Sequence, residues 1–137
     1  MDLEKAPKFR FHDWAVTSVK NVILYRRTNG NPFLSVVSVA EILRGLHRDV
    51  DSSKVITFKQ NVPLNFEFLN VTSEISYLAS EILAQLDKEG LAIGFPDSLI
   101  AATAIHHGFD LVTSNERHFR RVVDLGYPLT LRNWREA

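Results

Sequence analysis

The residues Phe33-Leu34-Ser35-Val36-Val37 form a short, nearly continuous apolar and β-branched run, the mark of a strand covered on both faces. Directly behind it, Ser38-Val39-Ala40-Glu41 matches the S-x-x-E capping box, and Ile42, Leu43 and Leu46 continue as the apolar stripe of a helix. A strand that needs cover on both sides and passes straight into a helix restricts the chain to layered α/β architectures.

The rest of the pattern agrees with that restriction. Residues 14–27 carry Trp14, Val16, Val19, Val22, Ile23 and Tyr25 at helix-like spacing and are stopped by Thr28-Asn29-Gly30-Asn31-Pro32. Before them, Lys8-Phe9-Arg10-Phe11 alternates as a short strand or a tail. A short helix is expected around 51–60, with Val62-Pro63-Leu64 as an extended connector, because Pro63 biases the residue before it away from helix. Residues 72–88 place Ile75, Leu78, Ala79, Ile82, Leu83 and Leu86 on one helical face, with Glu74 in the first turn and Lys88 then Gly90 at the end. After Leu91-Ala92-Ile93-Gly94-Phe95-Pro96, residues 97–107 read as a buried, Ala-rich helix ending at Gly108. Leu111-Val112-Thr113 predicts a strand, 115–123 a short basic helix, and Leu129-Thr130-Leu131 a last strand. The alternation predicts an α/β fold, a parallel sheet flanked by helices, in a single domain over 1–137.

Composition removes several classes of function. With no Cys among 137 residues, a disulfide framework, thiolate zinc, iron-sulfur clusters and a Cys nucleophile are excluded, and a reducing, cytoplasmic setting is the expectation. Sixteen Lys+Arg balance sixteen Asp+Glu, so attraction to a polyanion has to come from a local patch. Arg117, Arg120 and Arg121 are the candidate; a merely solvated face is the plainer reading. Neither a signal-like apolar run at the start nor a membrane-length apolar stretch is present in the sequence, so no membrane partner is expected.

In open α/β sheets ligands bind beyond the carboxyl ends of the strands. Glu41 follows the strand at 33–37, Asp97 opens the Ala-rich helix, and Asn115 and Glu116 follow the strand at 111–113. Convergent carboxylates repel unless a cation or proton lies between them, and hard oxygen donors without Cys favour Mg²⁺ or Mn²⁺. Each residue also has a bland explanation: Glu41 as the third position of a capping box, Asp97 as a first-turn acid, Asn115 as an N-cap, and Glu116 as a helix-start carboxylate. His106 and His107 fall in a last helical turn, where imidazoles suit the carbonyl end of the helix.

The segments Ser35-Val36-Val37-Ser38-Val39-Ala40-Glu41-Ile42-Leu43-Arg44-Gly45, Ile93-Gly94-Phe95-Pro96-Asp97-Ser98-Leu99-Ile100-Ala101-Ala102-Thr103-Ala104 and Leu111-Val112-Thr113-Ser114-Asn115-Glu116-Arg117-His118-Phe119 resemble three segments of PIN-domain nucleases, and Asn133-Trp134 resembles their usual ending. The resemblance spans residues 33–134 and is greatest to the VapC-like toxins of toxin-antitoxin pairs. It implies a Mg²⁺- or Mn²⁺-dependent endoribonuclease in which Glu41 and Asp97 are metal-site carboxylates. An RNA substrate and a cognate antitoxin filling the acidic groove are implied too, and dimerisation is common among the similar proteins.

The chain departs from the family in two places. Where the third segment commonly offers an Asp, Asn115 and His118 stand instead, which leaves Asn115 as a neutral oxygen and Glu116 as a substitute acid. The family's opening strand ending in Asp has no counterpart, so the first strand is expected to be atypical or missing, with Asp13 the nearest candidate for its acid. A PIN-like fold that has lost its first acid and serves as an RNA- or protein-binding module is therefore the alternative expectation.

Overall fold

The computed structural model describes residues 23–25 and 32–133. Along the chain come β1 (Ile23–Tyr25), β2 (Phe33–Ser35), α1 (Val36–His47), α2 (Ser53–Asn65), β3 (Glu67–Leu69), α3 (Ser73–Lys88), α4 (Phe95–His107), β4 (Asp110–Val112), α5 (Glu116–Asp124) and β5 (Leu131–Arg132). The strands pair in the order β3-β2-β1-β4-β5. β2 is parallel to β3 and β4 to β5, as the alternation predicts, while β1 runs antiparallel to both of its neighbours. Because β2 and β4 each oppose β1, they run in the same direction, and the helices that follow them start from one edge of the sheet.

Side chains alternate across a strand, and here the alternation separates two cores. Leu111 faces α3, α4 and α5 through Ile75, Ile82, Leu86, Ile100 and Phe119. Val112, one residue on, joins Leu34 in the second core with Ile42 and Leu46 of α1 and Val55, Phe58 and Val62 of α2. Helices thus cover both faces, the α/β architecture expected from the sequence. The run Ile100-Ala101-Ala102 is fully buried, and its small side chains let α4 lie close against α3.

Local chemistry explains where elements begin. Thr72 caps α3, its Oγ1 accepting from the Ile75 N–H at 3.2 Å, and Glu74 in the first turn and Lys88 in the last complement the helix dipole. Gly94 precedes α4 at φ 90° and Gly108 closes it in the left-handed region at φ 67°, conformations that L side chains rarely adopt.

Four expectations are corrected. Residues 23–25 form a strand rather than the end of a helix over 14–27, since the β-branched and aromatic run Val22-Ile23-Leu24-Tyr25 suits the centre of a sheet; the remainder of that range, like Lys8-Phe9-Arg10-Phe11, lies outside the described residues. The strand predicted over 33–37 stops at Ser35, whose Oγ accepts from the Val37 N–H at 3.1 Å and so caps a helix that begins at Val36. The predicted connector at 62–64 is helical: α2 runs to Asn65 because Val62 joins Phe58 on its buried face, and Pro63 lies on the exposed side of the final turn, where the Lys59 carbonyl that loses its N–H partner can face water. The last strand is Leu131–Arg132 rather than 129–131, and the strand Glu67–Leu69 is carried by no periodicity in the sequence.

Candidate active site

Moving the start of α1 from Ser38 to Val36 changes what Glu41 can be. Ser38 becomes a buried residue of the first turn, and Glu41 lies in the second turn, half-buried, where no cap geometry accounts for it. The capping-box reading of Ser38 and Glu41 is therefore wrong. Ser38 and Glu41, three apart, share a helix face, and among the described residues the buried Ser38 Oγ has no hydrogen-bond partner, an arrangement that costs about 1–3 kcal/mol where nothing meets the hydroxyl.

Asp97 sits in the first turn of α4, at 1% exposure. Its Oδ2 lies 2.8 Å from His118 Nδ1, three residues into α5, whose own side chain is mostly covered. The contact is short but lacks hydrogen-bond geometry. A carboxylate taken this far out of water is expensive unless polar groups face it, so the pairing supports the burial of Asp97. Thus α4, entering from the α3 side, and α5, leaving β4, meet at their amino-terminal turns.

The other expected residues are placed as follows. Asn115 stands at the N-cap position of α5, but its side chain makes no capping bond; its carbonyl accepts from the His118 and Phe119 N–H groups at 3.2 and 3.4 Å, and its own N–H donates to Thr113 Oγ1 at 3.0 Å. Glu116 is in the first turn of α5, half-buried, and among the described residues neither its carboxylate nor the Asn115 amide reaches Asp97 in a hydrogen bond or ion pair. Asp13 lies outside the described residues. Arg117 and Arg120 are exposed and make no side-chain hydrogen bond or ion pair among the described residues, whereas Arg121 is engaged: its Nη1 donates to the Ala92 carbonyl at 2.9 Å and approaches the Leu91 carbonyl at 3.5 Å. Of the three arginines of the expected patch, only Arg121 is thus engaged among the described residues.

No sequence pattern marks His118 as a partner for Asp97. The available signal is its position, where the family resemblance leads one to expect an acid, but nothing in a linear pattern tells that the third residue of one helix faces the third of another. His106 and His107 point elsewhere: their rings meet edge to face at 5.0 Å, and His107 stacks on Phe109, which stacks in turn on Phe33. Burial and the neighbouring His106 hold the His107 imidazole below its ordinary pKa.

Among the described residues no three of His, Asp and Glu converge closely enough to hold a metal ion. What they do supply is a buried carboxylate beside an imidazole nitrogen in Asp97 and His118, and, on α1, the half-buried Glu41.

Residues 11–125 match the PIN domain family. Ribonuclease VapC1 of Rickettsia felis is 35% identical over 99 residues, 70% of this chain and 74% of its own length, and Ribonuclease VapC of Rickettsia bellii is 33% identical over 96 residues, 68% and 72%. The fold matches VapBC2 from Rickettsia felis, solved bound to a DNA fragment from the promoter, with TM-score 0.65 and 26% identity over 74% of each chain. It also matches VapBC-1 from nontypeable Haemophilus influenzae, with TM-score 0.69 and 21% identity over 97% of this chain and 90% of that one. An α/β sheet with its acids at one edge, the family match over most of the chain and the VapC relatives together establish that this chain belongs to the PIN-domain family, within its VapC-like group.

Proposed function

We propose that this chain is a Mg²⁺- or Mn²⁺-dependent endoribonuclease acting as the toxin of a toxin-antitoxin pair. The observation that carries the reading is Asp97, a buried carboxylate at the start of α4 faced by His118 at 2.8 Å, on the sheet edge from which Glu41 also rises. Burying a carboxylate costs free energy that a solvated first-turn acid does not incur, which supports reading Asp97 as a site residue.

Glu41 and Asp97 would hold the cation, with Asp13, Asn115 and Glu116 as the further oxygen donors carried by the resemblance. A bound cation supplies an activated water and offsets charge building on the scissile phosphate. The chain's own contribution is positional. His118 keeps the Asp97 carboxyl from swinging away, and the buried wall of α4 limits water around it. Arg117 and Arg120, exposed on α5, would draw in the RNA backbone. The names VapBC and FitAB on the matching structures support a cognate antitoxin as the partner.

The second reading, a PIN-like RNA- or protein-binding module, is favoured by the lack of a three-ligand group among the described residues. Incubating the purified chain with RNA, with and without Mn²⁺, separates the two. Cleavage that needs Mn²⁺ and disappears in Asp97→Asn supports the nuclease; RNA retained uncut by wild type supports the module.

A further inference from the structure

The segment between α3 and α4 has to deliver Asp97 to its place, and little within the segment itself does so. Residues 91–94 form no helix or strand, Gly94 at the N-cap position offers no side-chain oxygen, and α4 begins with no side-chain capping bond. Two anchors hold it. At its start the Leu91 N–H donates to the Leu86 carbonyl at 2.9 Å, tying it to α3, and Ile93 is buried in the core. The carbonyls of Leu91 and Ala92, however, point toward α5, where a single guanidinium nitrogen of Arg121 meets both. His118 and Arg121 are three residues apart on α5 and therefore lie on one face of it. One helix face thus grips the approach to α4 at Ala92 and the acid itself at Asp97.

We infer that Arg121 is a positioning residue for Asp97, acting through the 91–94 segment, and not an RNA-binding group. The consequence for catalysis rests on the nuclease reading above; the structural consequence does not. Arginine suits the task because its planar group can address two neighbouring carbonyls while its stem lies along the helix. Phe119 and Val122, both fully buried, fix the rotation of α5 that aims it.

The test is hydrogen exchange by mass spectrometry on the full chain, without metal or RNA. In Arg121→Ala the two hydrogen-bonded amides that bracket the segment, Leu91 N–H on the Leu86 carbonyl and Ser98 N–H on the Gly94 carbonyl, should exchange about fivefold faster, the measure of one hydrogen bond of modest net worth, with the rest of the chain unchanged. Arg121→Lys, which still offers a charged N–H donor, should restore much of the protection. Arg121→Met, with a stem but no donor, serves if the Ala variant does not fold and should behave like it. In RNA cleavage the Ala variant should lower kcat about tenfold with KM held within about twofold, since misplacing an acid affects the chemical step more than binding. Exchange at the wild-type rate in Ala and Met variants overturns the inference, as does weaker RNA binding with a flatter salt slope and unchanged exchange. If wild-type protein does not cut RNA, the nuclease reading fails by itself, and the exchange result still decides the role of Arg121.

Discussion

His118 Nδ1 and Asp97 Oδ2 stand 2.8 Å apart although 21 positions separate the two residues in the chain, and each is the third residue of its helix. This meeting of two first turns places an acid where water scarcely reaches it. His118→Phe keeps the ring and removes the nitrogen that faces Asp97. It should destabilise the fold by about 1–2 kcal/mol in urea denaturation, the cost of taking a polar partner from a buried carboxylate. Combined with Asp97→Asn, the two losses should fall short of additivity by about 1 kcal/mol. Strict additivity would show that the pairing carries no energy.

A divalent cation should stabilise the protein, because it relieves the repulsion between Glu41 and Asp97 that the proposed site builds in. Millimolar Mn²⁺ should raise the Tm of wild type and leave Glu41→Gln and Asp97→Asn almost unmoved. Equal shifts in all three proteins would place the cation elsewhere.

RNA affinity should depend on Arg117 and Arg120, the two guanidinium groups on α5 without partners among the described residues. Replacing both with Ala should weaken binding and reduce the slope of log K against log salt by about 0.7 for every phosphate of a single strand that is no longer neutralised. A slope identical to that of wild type would return both arginines to the solvated face.

The His107 imidazole is held below its ordinary pKa, by burial first and by the charge of His106 second. The unfolded chain therefore binds a proton at higher pH than the native one, and stability rises with pH across that interval. The contribution is fully present above about pH 6.5 and is lost as the pH falls toward the lowered native value. His107→Phe preserves the stack on Phe109 and removes the titration, so its stability should decline less than that of wild type as the pH falls below about 6.5. Parallel pH profiles for the two proteins would assign the acid sensitivity to other groups.

What the linear sequence determined was whatever depends on neighbours a few residues away. The amphipathic stripe and caps of α3, the Ala-rich burial of α4 and its stop at Gly108, and the alternation that demands an α/β fold all rest on helical and strand periods and on local backbone chemistry. Glu41 and Asp97 were legible as candidates from their places behind a strand and at a helix start, whereas the capping box that offered Glu41 a plainer explanation was mistaken: a capping box and a helix shifted by two residues look alike until Ser35, not Ser38, is seen to accept the Val37 N–H. Only the tertiary structure decided the rest. Val22-Ile23-Leu24-Tyr25 has a composition that serves helix or strand, and strands on both sides select strand for 23–25 and reverse its direction. Arg121 reads as a surface charge until the 91–94 segment is folded against it, and His118 as a helix-start residue until α4 arrives. Periodicity reports which side of an element is buried; which residue of another element lies against that side follows from packing, because the pairing joins groups whose separation in the chain carries no periodic signal.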